Sequence, residues 1–349
     1  MPLSDPQHAT FAATELPVVL SYYDLGVIES ITVFRRGSRR SPKVGIVAQR
    51  GKFLLKRRAA DRAHHQRVAF AHNVQRLLTA AGFPAPRLIP TATDGATFVE
   101  CQDGVYELFA FVAGEPFQRT PRQAHEAGRT LGAFHRATAG FPAALPAPRG
   151  DYHDAAAIRT GLCAIGSNLK SHDSFTGDEA ELASLVQCLL EAYDCASDAV
   201  NRLGYATLPA RIIHSDWHPG NMLYRRDRIV AVFDYDSVRM APRVVDVANA
   251  ALQFAMVASG DPDTWPDHVD EDRFTAFLAG YESLDELLPH ELDSIPHLMA
   301  EALVAECVPP ITETGSVGRH SGFRVLQMVR RKTAWLTAHG DHLVAAARP

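Results

Sequence analysis

The stretch from Arg211 to Ser237, RIIHSDWHPGNMLYRRDRIVAVFDYDS, constrains this chain more than any other. Ile212 and Ile213 lead into a polar loop, Met222 to Tyr224 leave it, and Ile229 to Phe233 form a second apolar, β-branched run bounded by charges. Short apolar runs of this kind between polar turns are the pattern of buried strands. His214, Asp216 and Asn221 therefore fall on one loop and Asp234 at a strand end. The residues between Asn221 and Asp234 suffice for a hairpin that returns Asp234 to the side of the loop.

The spacing H-x-D-x-x-x-x-N is that of the catalytic loop of phosphoryl-transferring kinases. Phosphoryl transfer needs little covalent help but much positioning and charge neutralisation. A carboxylate facing the acceptor hydroxyl and oxygen ligands for Mg²⁺ must converge on the γ-phosphate. Asp216 is the candidate base, and Asn221 and Asp234 are the candidate metal ligands. Where kinases carry D-F-G, this chain reads Asp234-Tyr235-Asp236, without the glycine. HSDWHPGN, followed by VFDYDS and VVDVANA, resembles the aminoglycoside phosphotransferase and choline kinase-like family of small-molecule kinases, which includes type II homoserine kinases and spore-coat kinase-like proteins. The resemblance implies a structural carboxylate at Asp246 that braces the catalytic loop, and His214 as that loop's packing residue.

The length of 349 residues suggests two lobes, and 46% hydrophobic content is enough for a substantial core. No apolar run approaches the roughly 20 residues of a membrane span, and the N-terminus lacks the pattern of a leader peptide. The expectation is a cytoplasmic protein with no membrane partner. The five cysteines are scattered without a C-x-x-C, which indicates neither a disulfide framework nor a zinc site. Residues 1–114 carry 14 Lys and Arg against 9 Asp and Glu, and the remainder carries 21 against 31. A basic N-terminal part fits one that covers nucleotide phosphates, and an acidic remainder favours an amine-bearing acceptor through its field, although ordinary solubilising charge reads the same way. No basic run is interleaved with aromatics, so no nucleic-acid partner is expected.

Along the chain, Pro17–Leu25 reads as a short helix stopped by Gly26, and Ile28–Phe34, Val44–Ala48 and Lys52–Lys56 as an antiparallel meander. The first turn contains Gly37, Ser38 and Ser41, candidate donors to nucleotide phosphates, or else an ordinary hairpin. Lys56 ends the third strand, where kinases reach the α- and β-phosphates; the alternative is an exposed strand-end lysine. Alternation points Arg57 and Arg58 elsewhere or outward. Arg62–Ala81 reads as a helix, yet it contains no acidic residue after Arg62, whereas kinases place there a glutamate that pairs with the lysine. Another carboxylate orients Lys56, or His72 or Asn73 substitutes, or the lobe is not built to activate ATP. Thr97–Cys101 and Val105–Phe111 complete the sheet, and Phe111 to Gly114, with the backbone of Phe111 and Ala113, is the candidate hinge for a purine edge.

Thr120 caps a helix that runs through Ala139, in which His135 is expected to be packed. Asp178–Arg202 is a long amphipathic helix, and Val244–Val257, Glu271–Tyr281, Leu287–Glu306 (interrupted at Pro289 and Pro296) and Phe323–Ala338 are mostly helical. Candidate acceptor contacts are Trp217, His218, Asp236 and Arg239, together with Asp151, Tyr152 and Arg243. The expected fold is an α+β, two-lobed protein-kinase-like fold. An antiparallel five-stranded N-lobe spans residues 1–112 and a mainly helical C-lobe spans 113–349, with ATP and Mg²⁺ in the cleft. The expected reaction moves the γ-phosphoryl group to a hydroxyl of a small molecule, such as an amino alcohol, a homoserine-like amino acid or an aminoglycoside. A catalytically silent nucleotide-binding or structural protein is the alternative, and a homodimer stays open.

Overall fold

A computed structural model describes residues 9–12, 14–34, 40–101, 104–141, 147–171 and 177–348. In chain order the elements begin with α1 (Glu15–Leu20), β1 (Ile28–Phe34), β2 (Lys43–Ala48), β3 (Gly51–Arg57), α2 (His65–Ala80), β4 (Val99–Cys101) and β5 (Gly104–Ala110). They continue with α3 (Pro121–Thr138), α4 (Ala156–Ser171), α5 (Glu179–Arg202), β6 (Ala210–Ile213), β7 (Met222–Arg225), β8 (Arg228–Val232) and β9 (Arg239–Pro242). The last are α6 (Arg243–Ala255), α7 (Glu271–Glu282), α8 (Pro289–Thr314) and α9 (Gly322–Ala347). The chain divides into two compact units: residues 1–117, 140–148 and 220–238 form one, and residues 118–139, 149–219 and 239–349 form the other.

The first unit is built on a five-stranded antiparallel sheet in the order β1-β2-β3-β5-β4. Alternation is plain in β2, whose buried positions Val44, Ile46 and Ala48 pack with Phe53 and Leu55 of β3 and Leu108 of β5. The β7–β8 hairpin belongs to this unit and is tied to the chain after β5 by paired Glu115 and Tyr224 backbones, each N–H donating to the other's carbonyl at 2.7 Å. A side chain at Gly114 would meet Leu223 and the Tyr224 carbonyl within 3 Å, so the close approach requires glycine there.

The second unit is helical apart from the short β6–β9 pair and a two-residue pairing near its end. α3 and α7 pack at backbone distance. A Cβ on Gly128 would lie 1.9 Å from the Phe277 carbonyl oxygen, and one on Gly280 would lie 2.0 Å from that of His125. Gly128→Ala is expected to cost about 3 kcal/mol, the upper end of overpacking, because the obstacle is backbone and not a side chain that can turn. Gly166→Ala in α4, where a Cβ meets nothing within 4 Å, should instead stabilise slightly. Urea unfolding of both variants checks the contrast.

Two expectations change, and one unassigned stretch takes a structure. The first helix ends at Leu20 because Ser21 turns its hydroxyl back to the Val18 carbonyl; Leu25 instead accepts a backbone bond from Arg50 beside the sheet, and Gly26 is not the stop. α8 starts at Pro289, a first-turn position that tolerates proline, and runs through Pro296, Pro309 and Pro310. Its packing on α4, α5, α6 and α9 overrides the lost backbone bonds. Ala156–Ser171, unassigned in the sequence, is helical. Among the described residues no helix is long and apolar enough to cross a membrane.

Candidate active site

In the first unit, strand register builds a row of charges. Lys43 of β2 lies opposite Lys56 of β3, and Lys56 lies opposite Glu107 of β5. Lys56 Nζ reaches Asp234 Oδ1 at 3.1 Å and Asp236 Oδ2 at 2.7 Å. Burial alone would favour the neutral amine, yet Asp236 and Asp234 outweigh it and hold the ammonium above its usual range. For Lys43, burial and the charge of Lys56 pull the other way and lower it.

Arg58 corrects the alternation reading. It stands two residues after Lys56 and so shares its face; it is buried, with Nη2 at 2.7 Å from Glu107 Oε1 and 2.8 Å from Asp236 Oδ1. Arg57 alone faces away, onto Glu15 at 2.8 Å and the Phe11 ring. The acid missing from α2 has its counterpart on β5. Glu107 is fully buried, and from α2 it receives His72 Nε2 at 2.5 Å, whose Nδ1 meets Thr97 Oγ1 at 2.7 Å. Burial would raise the Glu107 carboxyl, but Arg58 first and then His72 and Lys56 hold it well below the ordinary range.

The hairpin sets Asn221 and Asp234 at one end, since Phe233 N–H donates to the Asn221 carbonyl at 2.8 Å. Asp234 is left-handed, φ 62° and ψ 64°, an unfavourable conformation for a residue with a Cβ. Asp236 is taken up by Lys56 and Arg58 and not turned outward as an acceptor contact. Ser41 is buried just before β2. Phe111 is 41% exposed, its N–H bonded to the Lys52 carbonyl, and the exposed Ala113 offers its carbonyl to Arg225 at 3.4 Å. Gly37 and Ser38 lie outside the described residues.

In the second unit, the loop after β6 is pinned by Asp246 in the first turn of α6. One oxygen accepts the N–H of His214 at 2.7 Å and the other that of Ser215 at 2.8 Å, while His135 Nε2 lies 3.2 Å away. Ser215 is forced to φ 63° by this bend. His214 and His135 are wholly buried. Asp216 is left about one-third exposed, with His218 Nε2 at 3.5 Å. Trp217 is not available to an acceptor: it is 1% exposed, edge-on to His214 and packed on Phe134. Arg239 lies on β9 opposite Ile213.

Three further acceptor candidates have partners within the second unit. Arg243 is buried against Asp285 at 2.6 Å and Glu291 at 2.6 Å. Asp151 accepts from Tyr205 and the His153 N–H, and Tyr152 donates to the Val245 carbonyl.

Glu306 was not legible, because an acid inside a long helix carries no local signal. It projects from α8, reached by solvent but ringed by protein, and accepts from Gln253 Nε2 at 2.5 Å and from the Asn249 side chain. That crowding, with the charge of Asp216, pushes its carboxyl up to about 7. The Asn249 Oδ1 atom is buried without a partner among the described residues.

The sequence model of the phosphotransferase enzyme family APH matches residues 31–287. A homoserine kinase of Caulobacter sp. (strain K31) is 25% identical over 316 residues, which cover 86% of this chain and 87% of that one. Among solved structures, an aminoglycoside phosphotransferase of Alicyclobacillus acidocaldarius superimposes with a TM-score of 0.69 at 16% identity, over 97% of this chain and 98% of the other. A microcompartment-associated aminopropanol kinase does so with a TM-score of 0.69 at 16% identity, over 95% and 98%. These likenesses show a protein-kinase-like fold, and with the family model spanning most of its length the chain belongs to the APH phosphotransferase family and is a small-molecule kinase.

Proposed function

We propose that this kinase transfers the γ-phosphoryl group of ATP, with Mg²⁺, to a hydroxyl of a small amine-bearing acceptor. The observation that carries the acceptor reading is the Glu306 carboxyl, which feels the charge of Asp216 and accepts from Gln253, with the Asn249 Oδ1 beside it unanswered among the described residues. Two carboxylates and a carbonyl oxygen can only accept hydrogen bonds once ionised, and a primary ammonium group brings three donors. The relatives point the same way, since their names include an aminopropanol kinase and homoserine kinases.

The residues of the nucleotide side suit a hard cation. Among the described residues no group of three or more His, Cys, Asp or Glu is arranged to hold a metal, which disfavours zinc. Mg²⁺ is usually held by one or two side-chain oxygens and completes its shell with phosphates and water, so the oxygen donors of Asn221 and Asp234 fit it. When bound, the ion would neutralise charge on the transferring phosphate. Lys56 would sit on the α- and β-phosphates, with Ser41 near them and the Phe111 to Ala113 backbone at the purine. Asp216 would receive the acceptor proton, and Asp246 and His214 would hold its loop. Residues 1–112 would thus cover the nucleotide phosphates, and 113–349 would carry the catalytic loop, the metal site and the acceptor pocket. The silent alternative rested on the missing helix acid, and Glu107, which faces Lys56 across the sheet, removes that support.

The test is ADP release with ATP and Mg²⁺ across ethanolamine, choline, 1-amino-2-propanol, L-homoserine and an aminoglycoside, each beside an amine-free alcohol. Stimulation confined to amine-bearing compounds is expected; stimulation confined to amine-free ones overturns the acceptor class. For the compound that works, Glu306→Gln should raise KM about 10- to 100-fold with kcat little changed, the effect of a lost charge-assisted hydrogen bond. Glu306 must be ionised to attract the ammonium, and its carboxyl is raised to about 7. KM should therefore fall as pH rises through that value, and the Gln variant should lose the dependence.

A further inference from the structure

A cavity of about 790 Å³ opens on the first unit between the C-terminal half of α2 and the segment from Arg87 to Thr97. Arg76 of α2 and Arg87 both line it, together with Asn73 and the apolar Leu77, Leu88 and Pro90. No acidic side chain lines it. The nearest acid in sequence, Asp94, is turned onto the Thr91 hydroxyl and the Ala96 N–H. Neither guanidinium has an ion pair or side-chain hydrogen bond among the described residues. Arginines in this unit are otherwise often answered by acids, as Arg50, Arg57 and Arg58 are.

The cavity wall is wired to the phosphate-facing lysine. Thr97, which lines it, meets His72 Nδ1 at 2.7 Å, and His72 Nε2 meets Glu107 at 2.5 Å. Glu107 holds Arg58 at 2.7 Å, Arg58 holds Asp236 at 2.8 Å, and Asp236 holds Lys56 at 2.7 Å. Lys56, Arg58, His72, Glu107 and the Asp236 side chain are buried, so a shift of Thr97 or α2 has few ways to dissipate before it reaches Lys56.

We propose that this cavity is a regulatory site for a small organic anion, a carboxylate or phosphate on a short apolar body, and that its occupancy is read at Lys56 through Thr97, His72 and Glu107. Two guanidiniums suit an anionic oxygen group by paired hydrogen bonds, and the leucine and proline side chains of the lining suit the body. The binding half stands independently of the phosphotransfer reading; the readout at Lys56 rests on it.

Calorimetry of the full chain, with ADP and Mg²⁺ in excess to fill the nucleotide site, tests binding of phenyl phosphate, benzoate and inorganic phosphate. Phenyl phosphate or benzoate should bind the wild type, and Arg76→Gln with Arg87→Gln should weaken it at least 10-fold. Both arginines are exposed, so the double variant should keep the wild-type Tm. Equal affinity in the two proteins, binding of inorganic phosphate alone, or no binding by any probe overturns the site. The readout arm measures KM for ATP with and without the bound probe. A change of about fivefold or more in the wild type, lost in Thr97→Val while the probe still binds, supports the connection. An unchanged KM in the wild type, or an equal change in Thr97→Val, overturns it and leaves the binding result standing on its own.

Discussion

Asp216→Asn should lower kcat by about 10²- to 10⁴-fold, the usual contribution of a positioned general base, which corresponds to about 3–5 kcal/mol of transition-state stabilisation. The substitution keeps the side chain's shape and removes its negative charge, and with it the base proposed to take the acceptor's proton. Asp216 is about one-third exposed and the loop that carries it is held by backbone bonds to Asp246, so the fold should not register the change. Nucleotide affinity should be nearly unaffected, because Lys56, Asn221 and Asp234 are assigned that task. A second effect separates this reading from simple damage. The charge of Asp216 is one cause that raises the Glu306 carboxyl. In the Asn variant that cause is gone, and the pH at which acceptor KM improves should move down. The measurements are kcat, ATP-dependent thermal shift and acceptor KM against pH. Unchanged turnover removes Asp216 from the mechanism.

The candidate catalytic stretch was legible because its residues are close together and their spacing is set by one loop and one hairpin. Asn221 and Asp234 meet at the hairpin end for a reason visible in the apolar runs, namely that β7 and β8, of four and five residues, pair antiparallel and return the chain to its start. Lys56 was legible as the end of a strand. Its setting was not, since it depends on the register of three strands distant in sequence: only the pairing of β3 with β5 places Glu107 across from Lys56. The absence of an acid from α2 pointed to the right gap, and His72 was named among the substitutes. Its role is to bind the acid that another element supplies. Arg58 was misplaced by extending alternation from Arg57, although a residue two beyond Lys56 must return to its face. Trp217 misled in the other direction, because a neighbour of Asp216 on the loop need not share its side, and the ring fills the core against Phe134. Glu306 lies beyond the span matched by the family model, in a helix whose prolines argued for interruption. α8 packs on α6, and α6 holds the loop of Asp216 through Asp246.

Asp246→Ala should destabilise the protein by about 3–5 kcal/mol, the cost of breaking a buried charged network from one side. The carboxylate is 2% exposed and accepts two backbone N–H groups, of His214 and Ser215, with a histidine ring at 3.2 Å. Alanine leaves those donors without an acceptor in a site too enclosed for water to replace it freely. Asp246→Asn, which retains one carbonyl oxygen, should lose roughly half as much, and the order of the two variants in urea unfolding is the measurement. Acid supplies a further check. Burial alone would raise this carboxyl, but the hydrogen bond and charge of His135, the charge of His214 and the backbone bond outweigh it, so it lies below its ordinary value of 3.8. A carboxylate lowered by folding stabilises the native state above its unfolded value and loses that contribution as pH falls through the folded one. The gap between wild type and Asp246→Ala should therefore be full at neutral pH and narrow only in strong acid. Where the Ala variant remains folded, its kcat should still fall, because Ser215 at φ 63° has no reason to hold that conformation once its N–H is released. Equal unfolding midpoints, or a folded Ala variant with wild-type kcat, would show that the bend before Asp216 is maintained by the packing of His214 and Trp217 on Phe134 and not by the carboxylate.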